Sequence, residues 1–325
     1  MCDAPAAVVS VVIPTRNRPH MVARAVHSVL KQTFQALEAI VIVDGPDSAT
    51  VNELHSIDDI RLYVIELNQN VGAAQARNLG VAEAKGDWIA FLDDDDEWLP
   101  EKTEKQLALA NRSVFAYPIL SSQLIARMDK EDAVWPRRFP KTSEHLSEYL
   151  FVRNSPFLGE AIVQTSTILT KKELLRKFPL PARLTRHEEL DWLLRVSQIE
   201  GVGIEFVREP LIIWQADIGR KAKRESLSNV NDWKYSLDWI KSIREYITPL
   251  AYSGFITTYV SAQASFNRDW KAFFILLFEF SLSGKFRPTD LTNYLAMWFL
   301  PRDFRQLVRR LLQKNNSSKT SLKEI

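Results

Sequence analysis

The sequence predicts an α/β fold, a mostly parallel central sheet with helices on both faces, followed by a helical C-terminal region. Two observations carry this. In the first hundred residues, short runs of continuously apolar, Val- and Ile-rich sequence alternate with amphipathic runs, as in βα units whose strands are buried on both faces. Beyond Gln215 the strand-like runs cease and helix-like segments follow one another. With 325 residues, 46% of them hydrophobic and 25% charged, the composition is that of a globular protein with room for one large or two modest domains.

In order, the pattern predicts a strand over 8–13, a helix over 19–31 opened by Pro19, a strand over 37–43, and a helix over 49–56. A strand over 61–67, a helix over 72–84 and a strand over 88–92 follow. From 113 to about 214 the rhythm is less regular. Strand-like runs fall at 122–128, 160–169, 202–207 and 211–214, with helices over 142–151 and 187–199. Strands this few need the first sheet to bury against, so they read as the second half of one domain. The expected division is a disordered tail over 1–7, the α/β domain over 8–216, a basic linker over 217–228, a helical region over 229–314 and a disordered tail over 315–325. Helices are expected at 229–246, 249–266, 270–283, 289–299 and 302–314.

In sheets of this kind ligands bind beyond the C-terminal ends of the strands. The residues placed there are Pro14, Thr15, Arg16 and Asn17, then Asp44, then 68–70, then the run Asp93-Asp94-Asp95-Asp96-Glu97. Consecutive carboxylates repel one another. A cation that neutralises them is one explanation, and an all-oxygen ligand set favours a hard ion, Mg2+ or Mn2+. The other is a solvated acidic turn capping the helix that starts near Pro100, and Asp96 and Glu97 read either as caps of that helix or as groups that orient water around the ion.

The single cysteine, Cys2, excludes an internal disulfide framework and fits a reducing cytosol. The first residues show no basic region followed by an apolar core, so no secretion signal is expected. The apolar run 272–282 carries Glu279 and falls short of the roughly 20 residues that span a bilayer, so no transmembrane helix is expected. From 284 to 325 there are nine Lys or Arg against three Asp or Glu. No nucleic-acid-reading motif accompanies this basic patch. Within it, Phe304, Leu307, Val308, Leu311 and Leu312 recur at helical spacing beside Arg residues. Such a helix either packs on the domain with a solvated basic face or lies on an anionic membrane surface. The corresponding localisation is cytoplasmic, with a peripheral position on the inner membrane face under the second reading.

Five ordered segments then carry a resemblance. Val9-Ser10-Val11-Val12-Ile13-Pro14-Thr15-Arg16-Asn17-Arg18-Pro19, Ser28 to Thr33, Ala76-Arg77-Asn78-Leu79-Gly80, the segment from Ala84 to Asp96, and His187-Glu188-Glu189-Leu190-Asp191-Trp192-Leu193-Leu194-Arg195 together resemble the family 2 inverting glycosyltransferases. The resemblance covers about 8–215. It implies the GT-A fold and transfer of a sugar from a nucleotide-diphospho-sugar, most often a UDP-sugar, to a hydroxyl of a glycan or lipid-linked glycan. It implies that Pro14, Thr15, Arg16, Asn17 and Asp44 hold the nucleotide base. The usual pair of acids at the second strand is here reduced to Asp44, which leaves the choice of base open. Arg77 is implied near the base or phosphates, where a guanidinium forks onto phosphate oxygens; a surface helix Arg is the plainer reading. Asp93 and Asp94 are implied at the ribose. Asp95, with Asp93, is implied as ligand of the divalent ion that bridges the phosphates.

An inverting transfer needs a general base opposite the leaving group. The family spacing, counted back from Arg195, places Glu189 where an Asp is usual, and Asp191 is the second candidate; its alternative is an i,i+4 ion pair with Arg195 at an exposed site. Gln164 to Thr167 reads either as acceptor-facing or as an ordinary strand. Arg220, Lys221, Lys223 and Arg224 read either as a lid over the diphosphate or as a solvated linker. A processive synthase is disfavoured, because no spanning helix is expected. A non-catalytic sugar-nucleotide or glycan-binding protein that has lost its base is the competing function, and the Glu at 189 is what favours it.

Overall fold

The computed structural model describes residues 8–128, 132–155, 158–215, 232–266 and 268–300. The chain forms two compact units, one of 1–136 with 163–229 and another of 137–162 with 230–325. The segment 137–162, read from the sequence with the sheet, thus shares its unit with the C-terminal helices.

The first unit opens with β1 (Val9–Thr15), α1 (Pro19–Leu30), β2 (Leu37–Val43), α2 (Ser48–His55), β3 (Leu62–Glu66), α3 (Ala73–Glu83) and β4 (Trp88–Phe91). Strands β1 and β2 are buried at every residue, as continuous apolar runs in the middle of a doubly covered sheet require. After β4 come β5 (Glu97–Trp98), α4 (Lys102–Ala110), β6 (Tyr117–Arg127) and β7 (Ala133–Trp135). Across the other unit's segment, the chain returns with β8 (Leu169–Lys171), α6 (Lys172–Lys177), α7 (Glu188–Val196) and β9 (Val202–Gln215). Among the described residues these strands make one sheet in the order β3-β2-β1-β4-β8-β6-β9-β5, with β7 on β6. Pairs β1/β2, β2/β3, β1/β4 and β6/β9 are parallel; β8 runs antiparallel between β4 and β6. The sheet is therefore mixed with mostly parallel strands, and β1, β2 and β4 end on the same edge.

Gly80 lets α3 lie close on β1, since a Cβ there would sit 2.3 Å from Val12 Cγ1. The core also holds a polar knot. Buried Glu38 accepts from Ser10 Oγ at 2.6 Å and from the Lys85 backbone N–H at 2.6 Å, so its Oε1 is hydrogen-bonded.

Three local expectations are corrected. The runs 202–207 and 211–214 form the single strand β9. Its register against β6 shifts opposite 122–125, and Pro210, which has no N–H to give, sits at that irregularity. The run 160–169 is not a strand. Its polar side chains bond locally, Thr165–Thr167 form a 3-10 turn, and pairing begins only at Leu169. The helix expected over 142–151 begins at Leu146, where His145 accepts from the Ser147 N–H.

The second unit contains α5 (Leu146–Phe151), α8 (Trp233–Ser242), a 3-10 turn (Arg244–Tyr246), α9 (Pro249–Phe255), a π-helical turn (Ile256–Val260) and α10 (Ser261–Phe266). It is completed by α11 (Trp270–Ser283) and α12 (Pro288–Phe299). Asp232, Thr248 and Asp269 cap α8, α9 and α11 with side-chain acceptors, as Asp and Thr do at helix N-termini. Its core is aromatic: Phe151 lies 4.9 Å from Phe255 and 6.4 Å from Trp239, ring centre to ring centre. No described helix is long and apolar enough to cross a membrane. The tails, the basic linker with Arg220, Lys221, Lys223 and Arg224, and the basic helix expected at 302–314 lie outside the described residues.

Candidate active site

Beyond β4 the chain makes a tight turn, closed by the Asp96 N–H to the Asp93 carbonyl at 3.1 Å. The turn sends its carboxylates different ways. Asp94 is buried. It accepts from Thr15 Oγ1 at 2.8 Å and from the Arg18 guanidinium at 2.7 Å, which ties the end of β1 to the acidic turn. Arg18 also lies 3.5 Å from Asp95. Asp93 takes Arg77 at 2.6 Å on one oxygen and Gln164 Nε2 at 3.2 Å on the other. Asp96 is wholly buried, accepting from Ser166 Oγ at 2.7 Å, Gln164 Nε2 at 2.9 Å and the Gln215 N–H at 3.2 Å. Asp96 and Glu97 are therefore not helix caps. Asp96 anchors the turn to 164–166 and β9, and Glu97 lies in β5 with Arg24 3.2 Å away.

Arg77 is the hinge of the site. It is buried on α3, not a surface helix Arg, and besides Asp93 its guanidinium reaches Glu188 at 3.3 Å, at the first residue of α7. Its pKa is raised by Asp93, Glu188 and Glu189 against the opposing effect of burial. The first turn of α7 holds Glu188, Glu189 and Asp191, acids that the helix dipole favours. Asp191 carries no exposed surface and is gripped by Arg195 at 2.6 Å. The ion pair foreseen for it is present, but at a buried carboxylate rather than an exposed one. Glu189 is half-buried and lies deep among protein atoms. Burial first, then Glu188, pushes its pKa up to about 8, while Arg77 pulls the other way.

The nucleotide-side candidates divide. Pro14 and Thr15 end β1 inside the sheet, and Arg16 and Asn17 are exposed. Asn17 is left-handed, with φ 55°, and its N–H is held by Asp47 at 2.7 Å. Asp44 is buried and faces the next strand connection, accepting from the Val71 N–H at 2.7 Å, the Gly72 N–H at 3.0 Å and Asn70 Nδ2 at 3.1 Å. Gly72, at φ 86°, provides the backbone shape that wraps this turn around the carboxylate.

Seven carboxylates at 93–97, 188 and 189 thus meet three guanidinium groups, those of Arg18, Arg24 and Arg77. The carboxylates outnumber the guanidinium groups. Burial, outweighing Arg18 and reinforced by Asp95, pushes Asp94 up to about 6; burial with Asp93 and Asp95 pushes Asp96 well above the usual carboxylate range. Among the described residues no three His, Cys, Asp or Glu side chains converge on a common metal position. The carboxylates of Asp93 and Asp95 are oxygen donors of the kind a hard divalent cation takes, with the rest of its ligands to come from outside the chain.

Sequence reasoning missed what holds the turn. Gln164 and Ser166 were read as acceptor-facing or as strand, yet both bond the acidic turn, and Ser166 Oγ also accepts the Asp93 N–H at 3.0 Å. Nothing in a Gln-Thr-Ser-Thr run distinguishes such a support from a strand. Lys102 was also missed. It is fully buried, its Nζ 3.7 Å from the Trp98 ring centre and 2.7 Å from Gln106 Oε1, and burial lowers its pKa well below 10.5. Trp98 in turn donates to the Ser166 carbonyl at 3.1 Å.

A family model described as Glycosyl transferase family 2 matches residues 10–177. The chain is 26% identical over 249 residues to the amylovoran biosynthesis glycosyltransferase AmsB of Erwinia amylovora, spanning 74% of this chain and 78% of that one. It is 36% identical over 111 residues to the Escherichia coli enzyme named UDP-Glc:alpha-D-GlcNAc-diphosphoundecaprenol beta-1,3-glucosyltransferase WfgD, 34% of this chain and 44% of that one. In fold it is similar to the mannosyltransferase PcManGT of Pyrobaculum calidifontis, solved with GDP-Man and Mn2+. The TM-score is 0.57 at 16% identity, over 93% of this chain and 83% of that one.

Proposed function

This chain belongs to glycosyl transferase family 2, and we propose that it moves one sugar, with inversion, from a UDP-sugar to a hydroxyl of a lipid-linked glycan. The observation that carries the reading is the double grip of Arg77. By holding Asp93 and Glu188 at once, it sets the acidic turn and the carboxylate of Glu189 on one site. A leaving diphosphate and an attacking hydroxyl need opposite chemistry close together, and this arrangement provides both.

Thr15, Arg16 and Asn17, with Asp44 shaping the neighbouring turn, flank the nucleotide. Asp93 and Asp94 face the ribose. Asp95, with Asp93, would hold a divalent ion, Mn2+ or Mg2+, which when bound supplies positive charge to the departing diphosphate. Glu189 accepts the proton of the acceptor hydroxyl; the hydroxyl oxygen attacks the anomeric carbon, and the bond to the diphosphate breaks on the opposite side. Asp191, closed off and paired with Arg195, positions α7 rather than meeting the acceptor. A lipid-linked acceptor is supported by the name of WfgD, and Mn2+ by the ion solved with PcManGT.

Calorimetric titration of UDP, GDP, dTDP and CMP, each with and without Mn2+, tests the donor half. One diphosphate should bind only with metal, and Asp95→Asn should abolish that binding. If none binds, the transferase reading fails and a degenerate binding protein replaces it.

A further inference from the structure

We propose that the apolar face of α11, continued by Phe299 of α12, docks this chain on an anionic bilayer surface. The helix has two faces of similar apolarity and opposite fate. Ala272, Leu276 and Phe280 recur every four residues and are fully buried, Phe280 lying 5.1 Å from Tyr294 and 5.4 Å from Phe286 between ring centres. On the other side Phe274, Phe278 and Leu282 recur at the same spacing and are 68%, 68% and 67% exposed, beside half-exposed Ile275. Trp270, itself 51% exposed, extends this face to Phe299, 5.8 Å away and 59% exposed. Isolated exposed apolar residues are ordinary, but a contiguous aromatic stripe of this length marks an interaction surface.

Lipid fits this stripe better than protein. Among the described side chains of the exposed face, only Lys271 and Ser281 are polar, so little is available for the hydrogen-bonded rim of a protein interface. Trp and Phe are the residues that settle at a headgroup boundary. The stripe lies on the membrane rather than across it. Fourteen residues of helix reach about 21 Å, short of a hydrocarbon core. Glu279, on the inner side, is satisfied by Lys241 at 2.7 Å and by the Tyr252 hydroxyl at 2.5 Å. Charge complementarity gives the surface its sign. Seven Lys or Arg against two Asp or Glu follow in the sequence from 301 onward, directly after Leu300 in the chain. Basic residues next to an interfacial apolar face draw it to anionic lipid.

The inference deepens the reading of a lipid-linked acceptor without depending on the reaction, because lipid binding and sugar transfer are read separately. The full chain is sedimented with vesicles of phosphatidylcholine alone and with one-third phosphatidylglycerol. The wild type should pellet with the anionic vesicles. Phe274→Ser/Phe278→Ser should weaken partition by about tenfold or more, with the melting temperature and metal-dependent nucleotide binding unchanged. Leu282→Lys should weaken it too, which separates loss of apolar surface from loss of one aromatic pair. The proposal is overturned if the wild type stays in the supernatant at low salt, or if the double variant pellets as well as the wild type. It is equally overturned if the substitutions lower the melting temperature or split a dimer without any vesicle binding, since the stripe is then covered by the chain's own C-terminal residues or by a second copy. Failure of sugar transfer with intact vesicle binding would reject the proposed reaction and leave this surface standing.

Discussion

Replacing Glu189 with Gln separates a base from a structural acid, because the two roles predict changes in different quantities. Its carboxyl titrates near 8 in the folded chain against 4.5 for an unperturbed Glu. The folded state therefore holds a proton that the unfolded chain has already lost. Stability falls as pH rises from about 4.5 to about 8 and stays low above that. At about 1.4 kcal/mol per unit the shift has a ceiling near 5 kcal/mol; solvent at the half-buried side and the nearby Arg77 reduce the expectation to about 2 kcal/mol. Gln has no proton to lose, so Glu189→Gln should flatten the decline of the melting temperature between pH 5 and 9. Turnover, followed as nucleoside diphosphate release with saturating donor, acceptor and Mn2+, should drop by about 100-fold or more, the usual size of a general-base effect. Donor affinity by calorimetry should change little. In the wild type, kcat/KM should climb with pH as Glu189 deprotonates, and this limb should vanish in the variant. Turnover within a fewfold of wild type would refute the assignment, whatever the melting curve does. A flattened melting curve with full activity would make Glu189 a buried acid and nothing more.

Arg77→Lys keeps the charge but loses the fork that holds Asp93 and Glu188 together, so turnover should fall by about tenfold or more while the protein stays folded, checked by steady-state kinetics beside circular dichroism. Ser166→Ala removes the 2.7 Å donor to wholly buried Asp96 and should cost about 1–3 kcal/mol in urea unfolding. Gly80→Ala forces a methyl against Val12 and should cost about 1–3 kcal/mol by the same measurement, with the donor affinity of the folded fraction preserved.

The parallel half of the sheet was legible because its code is local. Strands β1 and β2 are buried on both faces and so are mostly apolar, and the helix between them, α1, buries one apolar stripe of Val22, Val26 and Val29. The acidic turn was legible for the opposite reason, since four adjacent carboxylates after an apolar strand obey no packing rule. What failed was long-range. Gln164 and Ser166 lie some seventy residues from the carboxylates they hold, and the outcome at 160–169 is set by those bonds rather than by the β-propensity of Thr. The runs 202–207 and 211–214 read as two strands because the irregular register at Pro210 against β6 exists only once the partner strand is in place. The burial of Asp191 and the double engagement of Arg77 likewise depend on how α3 and α7 meet the strand ends.

The places where local rules are broken gather at this site. Of the three non-glycine residues with positive φ among those described, Asn17 follows β1 and His187 precedes α7; the third, Arg268, belongs to the other unit. His187 is buried and stays neutral, its pKa pushed down to about 3 by burial and Arg186, and its carbonyl receives the Asp191 N–H at 2.8 Å. A left-handed residue and three acids at the start of one helix are costly unless something else fixes them. Arg77 and Arg195 do so by drawing in Glu188 and Asp191, with Glu189 between them in sequence and raised in pKa. The same logic holds at the acidic turn, where Arg18 and the Gln164–Ser166 pair secure Asp94 and Asp96. Each element thus uses paired carboxylates to hold geometry, and its departures from local rules are kept in place by those pairs.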